Sequence, residues 1–362
     1  MRFSPVKRSI HGVSLGALEE WVVGQGHPRY RAEQVLRWVY EKRVSSFESM
    51  SNLPAGLRER LGEAFGFEAS VLERVVGAED ATRKFLLRLE DGALIESVLI
   101  PANPALYGEK SDRLTLCVST QVGCAYGCKF CASGLDGWSR NLGVGEIVGQ
   151  VLQAESRSGE RVSNLVFMGM GEPLANFVNL RAALEILNAP WGVGIGARRI
   201  TISTSGLVPQ IRELAGLELQ VRLAISLHGA TDAVRNQIMP VNRKYPVGEL
   251  LEACEEYTRR RKQKITFEYI LIEGINDGQE EARELARVAG RIGAKVNCIP
   301  YNTVEGLEWK RPSEERLRAF VGVVKGAGVP VTLRLEKGHD IAAACGQLRR
   351  QTVVEPSKTE SL

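Results

Sequence analysis

Four of the seven cysteines in this 362-residue chain lie between positions 117 and 131. Cys124, Cys128 and Cys131 follow the pattern C-x3-C-x2-C, and Cys117 stands seven residues before the first of them. Reducing compartments keep thiols free, so an odd, clustered cysteine set in a long chain points to metal or redox chemistry rather than a disulfide framework. Two metal readings compete. Structural zinc closes four ligands around itself, and no fourth cysteine or histidine stands at ordinary knuckle spacing. An iron-sulfur cubane held by only three thiolates keeps one iron open for something else. Three thiolates therefore specify a catalytic cluster with a free corner, against the rival of a structural metal in a non-enzymatic protein.

Other candidates recur downstream. "GMGEP" (169–173) offers Gly171, where backbone can approach a ligand, and Glu172, which can accept from an ammonium or hydroxyl group. Taken alone, it reads as a turn with a solvated carboxylate. Ser203 in "STSG", the run Ser226, Leu227, His228 in "SLH", and Asn302 stand where further strands end. Polar groups at the same end of successive parallel strands converge on one rim. Glu96 in "LIESVLI" reads as a solvated strand carboxylate, and Cys345 in "DIAAACGQL" as a small buried hydrophobe.

The elements that must position these residues form an α/β chain. Residues 1–80 read as a helical lead, with "SLGALEEWVVGQ", "RAEQVLRWVYEKR" and "LPAGLRERLGEAF" carrying apolar residues at helical spacing. Residues 81–113 hold a β-hairpin turning at Asp91-Gly92 and then a Pro- and Gly-rich loop over 101–113. From 114 to 350, strands at 114–120, 164–169, 199–204, 221–229, 265–272, 295–302 and 329–335 alternate with helices, which is six βα units and a closing strand. A partial (β/α)6 barrel follows. Strand alternation gives each strand one apolar face, as with Leu114, Leu116 and Val118, and one polar face, as with Thr115, Cys117 and Ser119. A polar lumen argues for a bound ligand. Residues 351–362 form a polar tail.

The composition, 44% apolar and 25% charged with a net charge of +4, is that of a soluble protein. No apolar run is long enough for a membrane helix or signal peptide, so a cytoplasmic location is expected. The basic runs 29–43 and 259–264 are solvated helix faces or phosphate contacts.

"CVSTQVGCAYGCKFCASG", "FMGMGEPLANF", "ISTSGLVP", "ISLHGATDAVRNQIMPVN" and "DIAAACGQL" together resemble a family in the radical S-adenosylmethionine superfamily: the dual-specificity RNA methyltransferases acting on C2 of adenine. "PRYRAEQVLRWVYEKR" and "FESMSNLPAGLRERL" resemble that family's amino-terminal RNA-binding helices, and the similarity spans about residues 10–350.

The resemblance implies one [4Fe-4S] cluster on Cys124, Cys128 and Cys131, and two molecules of S-adenosylmethionine per turnover. Gly171, Glu172, Ser203, Ser226, Leu227, His228 and Asn302 match the residues that hold S-adenosylmethionine. It further implies that Cys345 is methylated first, that a 5'-deoxyadenosyl radical activates this methyl group for addition to the adenine, and that Glu96 accepts the adenine's proton. Cys117 then resolves the protein-RNA adduct by pairing with Cys345. The implied substrates are 23S rRNA at the peptidyl-transferase centre and tRNA next to the anticodon. The implied electron donor is a flavodoxin or ferredoxin, and the protein is expected to be a monomer. The nearest alternative is C8 methylation of the same rRNA adenine, of the antibiotic-resistance type; Pro173 and the "QVGC" context favour C2. The remote alternative is a non-enzymatic metal-containing RNA-binding protein. The loop 101–113 is longer than the family's usual connection, and His339 and Ala342 stand where acidic residues are common. Cys254 and Cys298 match no functional cysteine and read as packing residues.

Overall fold

The computed structural model describes residues 7–67, 69–102, 113–135, 137–304, 306–334 and 341. Helical spacing in the lead becomes three short helices, α1 (Leu15–Gly24), α2 (Arg31–Tyr40) and α3 (Ala55–Ala64). They are bracketed by two short parallel strands, β1 (Arg8–Ser9) and β2 (Phe65–Gly66). Ser14 caps α1 by accepting from the Ala17 amide at 3.3 Å. On α2 the stripe Val35, Leu36, Val39 and Tyr40 is buried. The helical segment stops earlier than its sequence suggests, because Ser70–Gly77 is a strand, β3. Its Val71 and Val75 are exposed, so the usual burial pattern of a strand is weak there.

β4 (Arg83–Leu89) and β5 (Leu94–Pro101) form the expected hairpin, with Gly92 at φ +82° in its turn. The parallel portion then begins: β6 (Leu114–Cys117), followed by a small antiparallel pair, β7 (Gln121–Gly123) and β8 (Trp138–Asn141). α4 (Val144–Ser158), β9 (Asn164–Phe167), α5 (Phe177–Asn188), β10 (Ile200–Thr204), α6 (Val208–Ala215) and β11 (Arg222–Ser226) come next. After α7 (Asp232–Ile238) and α8 (Val247–Arg261) come β12 (Thr266–Leu271), α9 (Gln279–Ile292), β13 (Lys295–Pro300), α10 (Glu314–Gly326) and β14 (Val331–Leu333).

One sheet of ten strands runs β14-β13-β12-β11-β10-β9-β6-β5-β4-β3. The seven strands from β6 to β14 that belong to it are mutually parallel, and β5, β4 and β3 extend it antiparallel. This is the expected six βα units plus a closing strand, with the hairpin region added to the same sheet. Register explains the two faces. Leu116, Leu165 and Ile200 pair in a row and are wholly buried against the helices, whereas the adjacent row Cys117, Val166 and Thr201 faces the lumen.

The lead is fastened to α4. Arg43 donates from Nη2 to Glu155 Oε2 at 2.6 Å, and Tyr40 donates its hydroxyl to the His11 carbonyl at 2.9 Å. Gly12 and Gly145 pass so closely that a Cβ on Gly12 would lie 2.7 Å from the Gly145 nitrogen. Arg43 is thus committed to structure, while Arg29 and Arg37 are exposed and pair only with surface carboxylates. In the run 259–264, Arg261 donates to the carbonyls of Leu217 and Leu219, and its neighbours Arg259, Arg260, Lys262 and Lys264 are exposed at the carboxyl end of α8. Among the described residues, no helix is long and apolar enough to cross a membrane.

Candidate functional site

The three clustered cysteines sit on the loop between β7 and β8, a hairpin that the sequence reading did not anticipate. Gly123 starts the loop at φ +74°, and a Cβ there would lie 2.0 Å from the Gly137 carbonyl oxygen, so only glycine fits. The Cys124 amide donates to that carbonyl at 2.9 Å, closing the loop base. The Lys129 amide donates to the Ile238 carbonyl at 3.0 Å, which ties the loop tip to α7.

Two cavities stand out. The larger, about 570 Å³, lies between α2 and the amino-terminal ends of the barrel strands, lined by Arg37, Glu155, Arg161 and a glycine-rich turn. The smaller, about 150 Å³, lies at the carboxyl ends of the strands and is lined by Cys124, Cys128, Cys131, Gly171, Glu172, Ser203, Ser226 and His228. Chemistry rather than size selects the second, since parallel barrels place their reactive groups at this end.

Burial pushes the Cys124 thiol up to about 12, reinforced by Cys131 and Glu172, although a backbone hydrogen bond from Tyr126 opposes the shift. Cys128 is pushed well above the ordinary thiol range by burial and by its two cysteine neighbours. The three side chains are close enough to repel one another when ionised. Even so, among the described residues no three His, Cys, Asp or Glu side chains converge on a point that a single metal ion could occupy. A cubane does not require such a point, because each thiolate binds a different iron.

The glycines of "GMGEP" serve packing as well as the cavity. A Cβ on Gly171, at φ +95°, would lie 2.4 Å from Gln121 Cβ. Gln121 in turn accepts from the Glu172 amide at 2.8 Å. Glu172 is buried rather than solvated. Its Oε1 accepts from the Leu174 amide at 3.0 Å and its Oε2 from the Ser205 amide at 2.7 Å, so it clasps the loop after β9 to the loop after β10. Burial raises its pKa, and those amide bonds pull it back down.

Ser203 and Ser226 stand with their hydroxyls 3.3 Å apart. His228 adopts φ +55° and accepts from the Ile270 amide at Nδ1, 3.0 Å away, so its ring proton is on Nε2. Phe130 packs edge-on against the imidazole with centroids 4.7 Å apart. Burial, with Arg235 nearby, lowers the His228 pKa to about 3, and the ring is neutral.

Leu227, Asn302, Cys117 and Glu96 are not among the described residues that line this cavity. Leu227 faces the helices, with its amide on the Glu268 carbonyl at 3.1 Å. Asn302 is buried beyond β13. Cys117 is buried at the end of β6, paired in register with Val98 two residues beyond Glu96, which puts Cys117 and Glu96 on the same lumen face. Glu96 is not the solvated carboxylate its sequence suggests: it is 1% exposed, with Oε1 3.2 Å from the ammonium of Lys84. Cys345, His339, Ala342 and most of the loop 101–113 lie outside the described residues. Cys254 and Cys298 are wholly buried, and burial pushes both thiols up to about 12.

Three residues at the site carried no assigned role in the sequence. Arg235 of α7 is wholly buried; it donates to the Leu227 carbonyl and Asn242 Oδ1 at 3.0 Å each, and also to the Ser205 carbonyl. Asn276 donates to the His228 carbonyl at 2.7 Å and the Ile270 carbonyl at 2.6 Å, and accepts from the Ile272 amide at 2.7 Å. Glu268 lies in β12 on the lumen face. For Arg235 the only available signal was a charged residue inside "ISLHGATDAVRNQIMPVN"; for Asn276 it was a polar residue just after a strand, and for Glu268 a carboxylate mid-strand.

Residues 118–286 match the model of the radical SAM superfamily, and residues 9–66 match that of the ribosomal RNA large subunit methyltransferase N-terminal domain. A relative from Akkermansia muciniphila, named a probable dual-specificity RNA methyltransferase RlmN, is 60% identical over 92% of each chain. The chain belongs to this methyltransferase family. A second member, from Opitutus terrae, is 51% identical over 98% of each chain. The solved structure of a radical SAM methyltransferase from Sphaerobacter thermophilus, 43% identical, superposes with a TM-score of 0.88 and covers 94% of this chain and 98% of that one.

A member of this family uses a [4Fe-4S] cluster and S-adenosylmethionine. The donor set fits the cluster: three soft thiols on one short loop line one cavity, and their burial favours ionisation only when a cation replaces the proton. The hydroxyls of Ser203 and Ser226 and the Nε2-H of His228, all at the same cavity, fit a polar nucleoside ligand beside it.

Proposed function

We propose that this protein methylates C2 of an adenine in 23S rRNA, at the peptidyl-transferase centre, and of an adenine next to the anticodon in tRNA. The observation that carries the reading is the meeting of Cys124, Cys128 and Cys131 with Ser203, Ser226 and His228 at one cavity, in a chain 60% identical to a dual-specificity RNA methyltransferase. In this reading the three cysteines hold the cluster and leave one iron to S-adenosylmethionine. Gly171, Glu172, Ser203, Ser226, Leu227, His228 and Asn302 hold that molecule, Leu227 by fixing its neighbours Ser226 and His228 at the rim through its own backbone bonds to Glu268 and Arg235.

C2 of adenine is electron-poor and does not displace a methyl group as a nucleophile, so the cluster and cofactor supply one-electron hydrogen abstraction when bound. The other tasks fall to the chain. The Cys345 sulfur carries the methyl group before transfer. Glu96, fixed by Lys84 at 3.2 Å on the lumen face it shares with Cys117, accepts the proton released from the adenine carbon. Cys117 then forms a disulfide with Cys345, which two electrons must reduce before the next turnover.

Exposed Arg29, in the turn before α2, and Arg37, on α2, supply phosphate contacts. The reading is completed by a monomer working in the cytoplasm, where rRNA and tRNA are found, with a flavodoxin or ferredoxin serving the cluster. Nucleoside mass spectrometry of rRNA and tRNA from cells with and without the gene tests the reading. Loss of 2-methyladenosine is expected; loss of 8-methyladenosine with 2-methyladenosine unchanged would overturn it.

A further inference from the structure

Glu268 takes no part in the reading above, yet it is one of the most sharply placed groups in the lumen. Register puts Ser226 of β11, Glu268 of β12 and Asn297 of β13 side by side on one face, and Ser226 reaches Ser203 of β10. The result is a polar belt across four strands, with Ser203 one side-chain step off the register of the other three. Glu268 is 6% exposed and lines the cavity. Among the described residues, one donor reaches its carboxyl: Asn297, from Nδ2 to Oε2 at 2.7 Å. No described donor reaches Oε1, and the residue lines the cavity together with Ser203 and Ser226. Burial raises the pKa of this carboxyl, while Arg334 and Asn297 pull it down.

A buried carboxyl with an unfilled oxygen carries a desolvation cost that a ligand hydroxyl relieves. The cavity wall narrows the ligand further. Apolar Met168, Met239, Ile270 and Ile299 surround the belt, which suits the flat faces of a nucleoside whose hydroxyls meet the polar strip. Carboxylates recognise ribose diols in this way in dinucleotide-binding folds.

We propose that Glu268, oriented by Asn297, accepts a hydrogen bond from a ribose hydroxyl of an adenosine unit bound in this cavity. The inference rests on the cavity being the cofactor site. Two molecules of the proposed reaction carry such a hydroxyl: S-adenosylmethionine and the target nucleotide of the RNA.

The test is equilibrium binding to the anaerobically reconstituted protein. One arm compares S-adenosylmethionine with its 2'-deoxy and 3'-deoxy analogues; the other compares substrate RNA with RNA carrying 2'-deoxyadenosine at the target. Wild type is expected to bind the deoxy ligand of one arm about tenfold more weakly than the natural one, the loss of one hydrogen bond to a carboxylate. Glu268→Met, which fills the same space among methionine and isoleucine side chains, is expected to bind natural and deoxy ligand alike. Glu268→Gln, which keeps hydrogen-bonding capacity, should retain part of the difference. The arm in which discrimination appears identifies the source of the hydroxyl. Equal binding by wild type in both arms overturns the assignment whatever happens to the variants, as does a Glu268→Met protein of normal iron content that still discriminates like wild type. If wild type fails to bind S-adenosylmethionine at all, the reading of the cavity falls first, and this assignment with it.

Discussion

The mouth of the barrel has two halves built on opposite terms. On the β7–β8 side, Cys124, Cys128 and Cys131 are half-buried on a loop anchored by backbone hydrogen bonds. On the β11–β12 side, Arg235 and Asn276 are wholly buried, and each reaches three groups drawn from more than one segment. A side chain that is to hold a ligand must keep bonding capacity in reserve. One that is to hold the mouth in shape spends its capacity on the protein, because a buried charge or amide left unpaired is costly. Residues that look equally functional in sequence therefore divide by where their bonds already go.

The largest expected effect is on the first half. Replacing Cys124, Cys128 or Cys131 with Ala should abolish iron binding and turnover, while the unfolding free energy of the iron-free chain changes by less than about 1 kcal/mol, as for substitutions away from packed features. Iron analysis after anaerobic reconstitution and urea denaturation of the iron-free protein measure the two quantities. A large loss of stability would mean that the loop is part of the scaffold and would erase the contrast. Next in size is Arg235→Met. It removes donors from the Ser205, Leu227 and Asn242 oxygens without altering any cavity-lining residue, and should cost about 3–5 kcal/mol, in the range for breaking a buried charged network. The same denaturation experiment reads it. A variant as stable as wild type would show that the two halves do not differ as described.

The division also explains how far the sequence could be read. The barrel, its order of strands and the polar lumen were legible because strand alternation and βα spacing are local properties, and Leu116 against Cys117 shows the rule working residue by residue. The cysteine spacing was legible for the same reason. What escaped was set by register and long-range contact. Glu96 and Glu172 read as solvated carboxylates, yet Lys84, twelve residues away, and the Ser205 amide, thirty-three residues away, take them out of water. Arg235 could not be told from a surface helix residue until the ends of β10 and β11 were seen to close over it. β3 went unread because an edge strand with exposed valines lacks a buried face to give it away.

The smallest effect at neutral pH is at the seam between the halves, where His228 of the built side meets Phe130 of the cysteine loop. In the unfolded chain a histidine takes up a proton near pH 6.5, but burial holds His228 neutral down to about 3. Between those values the unfolded state binds more protons, so stability falls as pH drops from 6.5 towards 3 and is independent of this group above that window. Glu172 and Glu268 act with the opposite sign. Their raised pKa values make the folded state the better proton binder just above the ordinary carboxylate range, so their contribution grows as pH falls there. His11, lowered to about 4 by burial, adds a second histidine term of the same sign as His228. Wild type alone therefore reports a mixture, and the difference between wild type and His228→Asn isolates one group. Asn tolerates the left-handed backbone that His228 adopts and carries no titratable proton. The variant is expected to lose about 1 kcal/mol at pH 8, from the lost Ile270 hydrogen bond. It should also show a shallower decline between pH 6 and 4, by about 1.4 kcal/mol per pH unit. Denaturant titrations of the iron-free protein at pH 8, 6, 5 and 4 measure both. Parallel curves for the two proteins would mean that His228 is protonated at its ordinary pKa, and that the built half is open to water where it meets the cysteine loop.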